Sequence, residues 1–252
     1  MGRGTKPIGA VERTFEIVAA LDELGSAGAS AVARELDLSK STAYTHLNTL
    51  DEAGYAVKED GEYRLSCRFL ELGSNVQYGV ELYRRGKDEV QSLAAETDER
   101  TNLVIEEDGM GTCVYTTDAK GSMDIHMGPG EKYHMHATGT GKAILAHLPE
   151  DRVDEIIGEH GLPEFTENTV ATREELDRKL ARIREEGISF DEEETVEGLR
   201  CIAAPIVVDG DPLGALSVSG PSQRFNDDER EAELTEAVRE AANVVQLNFV
   251  FS

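Results

Sequence analysis

Apolar residues return at helical spacing at Val11, Phe15, Val18 and Leu21, which predicts a first helix over about residues 8–24. "GSAG" ends it. "ASAVARELD" reads as a short second helix burying Val32, Ala33 and Leu36. "LSKSTAYTHLNTLDEAGY" starts at Ser39, a good N-cap, and runs to Gly54, a good C-cap. Next, "AVKEDGEYRLS" alternates about Asp60-Gly61, a strong hairpin signal. Three helices, a three-residue turn between the second and third, and a hairpin make a winged helix-turn-helix.

The pattern then changes. "CRFLELGSNVQYGVELYRRGKDEVQSLAAET" is mostly helical and links the two halves. "TNLVIEEDGMGTCVYTTD" is a hairpin about Asp108-Gly109, and "SMDIHM" a further strand. "GTGKAILAHL", "EDRVDEIIGEH" and "REELDRKLARIREEG" have helical periods. "ISFDEEE" and "CIAAPIVVDGDPLGALSVSG" are extended, and "DDEREAELTEAVREAANVVQLNF" is a last helix. Mostly antiparallel strands packed with helices predict an α+β domain.

At 100° per residue, the third helix places Ala43, Leu47 and Leu50 on one side. Ser41, Thr45 and Asn48 point the other way, with Thr42, Tyr44 and Thr49 on the flanks. No acid occurs from Ser39 to Leu50, a notable gap in an acidic chain. Hydroxyls and an amide suit phosphate oxygens and base edges in a major groove. The candidate DNA contacts are therefore Lys40, Ser41, Thr42, Tyr44, Thr45 and Asn48, with Lys58 and Arg64 flanking the wing turn to grip phosphates. The rival for this half is a winged helix used only for protein contacts, which leaves that face without a role.

"ATGTGKA", residues 137–143, resembles a phosphate loop only superficially. His136 stands where the first Gly belongs and Ala143 where the metal-binding hydroxyl belongs. What remains is a Gly-rich helix start, whose N–H groups can hold a small anion or a carbonyl oxygen.

Composition sharpens the setting. The net charge of −25 comes from 50 acids against 25 bases, at an ordinary apolar content of 39%. Residues 1–75 carry 8 bases and 12 acids, and residues 76–252 carry 17 and 38. Such a surface fits solubility in very high salt, where self-repulsion is screened, and implies a halophile's cytoplasm. Cys67, Cys113 and Cys201 are odd in number and widely spaced, as in a reducing compartment. Neither a signal core nor an apolar run of bilayer length is visible, so no membrane partner is expected.

The motifs "SKSTAYTHLNTLDEAGY", "HMHATGTGKAILAHLP", "GISFDEEETVEGLRCIAAPI" and "GALSVSGPSQRF", in this order, closely resemble the IclR family of transcriptional regulators over nearly the whole chain. The resemblance implies a winged helix-turn-helix over 1–66, a linker helix over 67–84 and a GAF-like effector-binding domain over 85–252. It also implies homodimers or tetramers on palindromic operator DNA, control of carbon-source catabolism by a small polar effector, and neither catalysis nor a cofactor. By the same resemblance Gly139, Thr140, Asp191, Cys201, Ser217 and Ser219 line the effector pocket, with Met123, Ile125 and Met135 as apolar walls. Asp191 hints at a hydroxylated ligand. Family members commonly carry a basic residue where this chain has Thr45, so DNA binding is expected to lean on direct and shape readout.

Each of these residues also has a plain structural role available. Cys201 suits a small buried position, the "DEEE" run a solvated surface, and Lys142 a salt bridge along its helix. The alternative reading is a GAF-like redox or metal-binding protein with an accessory winged helix. It rests on the cysteines, which lack a paired resolving partner, and on His126, His134 and His136 as metal ligands.

Overall fold

The computed structural model describes residues 6–117 and 128–251, in two compact units, Met1–Val76 and Gln77–Ser252. The "SMDIHM" segment, with Met123, Ile125 and His126, lies outside the described residues.

The first unit holds α1 (Gly9–Leu24), α2 (Ala29–Glu35), α3 (Lys40–Glu52) and the hairpin β1 (Ala56–Glu59) and β2 (Glu62–Leu65). Asp60 and Gly61 take φ of 51° and 87°, as a tight hairpin turn requires. Ser39 caps α3 by accepting from the Thr42 N–H at 3.0 Å, and Gly54 follows the helix at φ 79°. Ala43, Leu47 and Leu50 are buried with Ile17, Leu21, Val32 and Tyr63. Leu36 closes α2 half-buried at the edge of this core. The first helix forms where the spacing places it. Val11 and Phe15 are exposed, at 49% and 65%, Val18 is half-buried, and α1 buries Ile17, Ala20 and Leu21. The helix carries two apolar stripes, and only one of them meets α2 and α3.

Between residues 67 and 84 the chain forms parts of two helices, α4 (Arg68–Gly79) and α5 (Glu81–Thr97), separated at Val80. The division between the units falls within α4. In the second unit α5 is followed by β3 (Arg100–Glu107), β4 (Met110–Thr117), β5 (Lys132–His134), α6 (Gly139–Leu145), α7 (Glu150–His160) and α8 (Arg173–Glu186). Then come β6 (Ser189–Glu192), β7 (Leu199–Val208), β8 (Asp211–Pro221), a 3-10 turn and α9 (Asp228–Val250). Among the described residues, six strands form one antiparallel sheet in the order β5-β4-β3-β8-β7-β6. Because side chains alternate along each strand, the sheet has two distinct cores. Leu103, Leu216 and Val218 pack with α5 and α9. Val104, Ala203 and Ala215 pack with α6, α7 and α8. This is the α+β, GAF-like arrangement of a sheet layered by helices.

Candidate functional site

On the α6 side of the sheet lies a cavity of about 160 Å³. Asn102, Cys113, Cys201, Ser217 and Ser219 line it from four strands, Tyr133 from a fifth, and Asp191 from the sixth. Thr138, Gly139 and Thr140 close it from the head of α6, and Thr195, Val196 and Leu199 from the β6–β7 connection and the start of β7. All six pocket residues read from the sequence thus meet around one cavity, although four separate segments supply them. Met135 does not line it; that side chain is buried in the core beneath α6.

The α6 head explains its glycines. Thr138 is the N-cap and accepts from the Gly141 N–H at 3.0 Å. A Cβ on Gly141 would fall 2.3 Å from the Met135 carbonyl oxygen, so no larger residue fits that approach. Lys142 is neither a phosphate ligand nor a surface ion pair. It is fully buried and paired with Glu194, which also receives Lys179 at 3.0 Å. Burial lowers the Lys142 pKa, against the pull of Glu194 and Asp191.

Asp191 is 3% exposed, and with Glu194 at 1% this part of the acidic run is interior, not solvated surface. Its Oδ1 accepts from the Glu194 N–H at 2.7 Å and its Oδ2 from the Thr195 hydroxyl at 2.9 Å. Burial pushes the carboxyl up to about 6, with Lys142 opposing the rise. Both oxygens thus hold the turn that follows β6, and each keeps a further lone pair. Ser217 and Ser219, two apart on β8, share the pocket face and both accept from Asn102 Nδ2, at 3.4 and 3.1 Å. Asn102, Tyr133 and Thr195 were missed by sequence reasoning. The signal for Asn102 was there in part: an amide at a core-facing position of the apolar strand "TNLVI" needs a polar partner.

Burial pushes the Cys113 thiol up to about 11 and the Cys201 thiol up to about 12. Redox chemistry needs the thiolate, and neither site favours one. His134 and His136 pack edge to face at 5.7 Å between ring centres, and His136 bonds the Pro163 carbonyl at 3.0 Å. Among the described residues no His, Cys, Asp and Glu side chains converge as a metal site. A second depression, about 770 Å³ and open, is lined largely by Glu164, Glu167, Glu175, Glu192 and Glu193, which disfavours an anionic occupant.

In the first unit, Lys40, Ser41, Tyr44, Thr45 and Lys58 are exposed, and Thr42 and Asn48 half-buried. The wing and α3 meet here: Lys58 Nζ lies over the Tyr44 and Tyr63 rings, 5.3 and 5.1 Å from their centres. The Thr45 hydroxyl donates to the Ser41 carbonyl at 2.9 Å, and Asn48 Nδ2 to Glu52 at 3.1 Å. Arg64 is held by Glu59 across the hairpin at 3.0 Å.

Comparison with known proteins is concordant across both units. Residues 10–60 match the family profile described as "IclR helix-turn-helix domain", and residues 76–247 the one described as "Bacterial transcriptional regulator IclR C-terminal". The chain is 31% identical to the "Probable HTH-type transcriptional regulator ArcR" of Halobacterium salinarum, over 95% of this chain and 93% of that protein. It is 31% identical to the "Acetate operon repressor" of Salmonella typhimurium, over 89% of this chain and 84% of that protein. The crystal structure of the Thermotoga maritima IclR superposes with a TM-score of 0.84 at 26% identity, covering 95% of this chain and 98% of the other. The relatives named here are transcriptional regulators, and the haloarchaeal relative agrees with the acidic composition.

Proposed function

This chain belongs to the IclR family of transcriptional regulators, and from that membership we propose that it controls a catabolic, carbon-source pathway in response to a small polar metabolite bound in the second unit. The observation that carries the reading is the convergence of Gly139, Thr140, Asp191, Cys201, Ser217 and Ser219 on one cavity of about 160 Å³. A cavity near 150 Å³ holds a benzene-sized molecule, roughly six heavy atoms. Small carboxylates and short polyols fit that volume, and a six-carbon sugar acid requires the walls to open.

Operator binding is assigned to α3 and the wing, through Lys40, Ser41, Thr42, Tyr44, Thr45, Asn48, Lys58 and Arg64. IclR-family regulators bind operator DNA and small-molecule effectors, which supports both halves of the proposal. A homodimer or tetramer on a palindromic site is supported by exposed apolar residues, Val11 and Phe15 on α1 and Leu70 and Val76 on α4, which a second copy would cover. The protein works in the cytoplasm of a high-salt cell, a reading supported by its charge.

The test is operator binding in molar KCl, with and without ligands drawn from a thermal-shift screen of sugars, sugar acids and small carboxylates. Ser217→Ala/Ser219→Ala removes hydrogen bonds worth roughly 0.5–1.5 kcal/mol each. Effector affinity should fall about tenfold or more, while operator affinity without effector stays near wild type. A double mutant with full ligand response rules this pocket out.

A further inference from the structure

The end of α3 is closed by a neighbour as well as by its own turn. The Tyr55 N–H reaches the Leu50 carbonyl at 2.7 Å and the Gly54 N–H the Asp51 carbonyl at 2.9 Å, with Gly54 at φ 79°. This is a Schellman ending. It leaves the Ala53 and Gly54 carbonyls without a partner in the helix. The last turn of α3 also carries no basic residue to meet its negative end. The chain leaving the wing supplies what is lacking. The Ser66 hydroxyl donates to the Gly54 carbonyl at 2.6 Å, and Arg68 Nη1 to the Ala53 carbonyl at 2.9 Å.

Further contacts make this a joint and not a single bond. The Arg68 guanidinium lies over the Tyr55 ring, 4.6 Å from its centre, and the Phe69 ring packs against Tyr55 at 5.4 Å. The Ser66 N–H donates to the Tyr55 carbonyl at 3.0 Å. Ser66 Oγ also accepts from the Arg68 N–H at 3.3 Å, which caps the start of α4. A planar guanidinium stacks on a ring and donates at its edge together, which an ammonium does not. Contacts of this range hold in molar salt, which screens charges only beyond about 3 Å. Helix α4 buries none of its own residues, so the joint, not core packing, sets its direction from α3.

We propose that Arg68, with Ser66 and Tyr55, locks the end of α3 to the start of α4, so that discrimination between operator and other DNA depends on a residue outside the helix-turn-helix. This rests on the operator reading above. Arg68 lies beyond residues 10–60, the extent of the helix-turn-helix match, and acts on DNA through α3, as a positioning residue. A rotation of α4 then reaches α3 through three side chains. Fraying of the first turn of α4 frees the last turn of α3 in the same way, because Ser66 serves both ends.

The experiment uses the full chain in molar KCl, the duplex it selects from a random-sequence library, and a scrambled duplex. Arg68→Met, Arg68→Lys and Tyr55→Leu should each lower the ratio of the two affinities about fivefold or more, with scrambled-duplex affinity near wild type. Tyr55→Phe keeps the ring and should keep the ratio. Spin labels at Thr45→Cys and Asn75→Cys, in a Cys67→Ser background diluted with unlabelled protein, should give one narrow distance that Arg68→Met broadens. Arg68→Lys carries the test if Arg68→Met or Tyr55→Leu does not fold. If Arg68→Met weakens both duplexes alike and Arg68→Lys restores them, Arg68 is a phosphate contact and the joint is wrong. If the variants lower the melting temperature but keep the ratio and the narrow distance, Arg68 only stabilises the fold, and the proposal fails. A wild type that selects no duplex sinks the operator reading itself, and the joint's role with it.

Discussion

Cys201 keeps its proton in the folded protein because burial against the α6 head disfavours the thiolate, pushing the thiol up to about 12 from an ordinary value of 9.0. The unfolded chain releases that proton at a lower pH than the folded one. Between about pH 9 and 12 the native state therefore binds more protons, and stability falls as pH rises. One such group contributes at most about 1.4 kcal/mol per pH unit in that window. Denaturant unfolding at pH 8, 9.5 and 10.5 should show a shallower decline for Cys201→Ala than for wild type. Parallel declines would mean the thiol is not held this way. The same burial that makes Cys201 inert as a redox centre leaves it useful as a wall, since a Cβ on Gly139 would lie 3.1 Å from its sulfur.

Helix α3 combines a reliable core face with an outer face whose side chains are partly committed. The Thr45 proton is spent on the Ser41 carbonyl, leaving only lone pairs for DNA. Asn48 shares one amide proton with Glu52 and keeps its carbonyl and a second proton. An amide placed to read a base edge is worth roughly 1–3 kcal/mol of discrimination. Asn48→Ala should therefore weaken specific operator binding about tenfold or more, and Thr45→Ala by less. Titrations at fixed molar KCl with specific and scrambled duplexes measure both. An Asn48 variant that keeps the wild-type ratio of affinities for the two duplexes removes that residue from base readout.

Over the whole molecule, the charge of −25 is concentrated after residue 75, where 38 acids face 17 bases. The screening length is about 3 Å in molar salt and about 30 Å at 0.01 M, so dilution exposes each carboxylate to many others. Melting temperature should rise steeply from dilute buffer to molar KCl, with the second unit the more sensitive. Two-probe melting, with one reporter in each unit, tests this. A salt-independent melt in the second unit would contradict the high-salt reading.

Much of this protein is legible along the chain, because periodicity, caps and turn residues are local. The helix-turn-helix, the buried face of α3, the Asp-Gly hairpins and the shared face of Ser217 and Ser219 all follow from residues a few positions apart. The β5 strand at 132–134 was not foreseen, being too short to show a period. Which of two apolar stripes α1 buries depended on the helices it meets. Whether Lys142 and Asp191 face water or each other's neighbourhood depended on the β6–β7 connection folding back over α6, bringing Glu194 and Thr195 to them. Strand register placed Asn102 between Thr116 across the β3–β4 hairpin and two serines more than a hundred residues away. A sequence states which faces are apolar and where the chain turns. Desolvation and hydrogen-bond direction belong to groups that meet only after the sheet is assembled, and those decide which polar atoms remain free for a ligand.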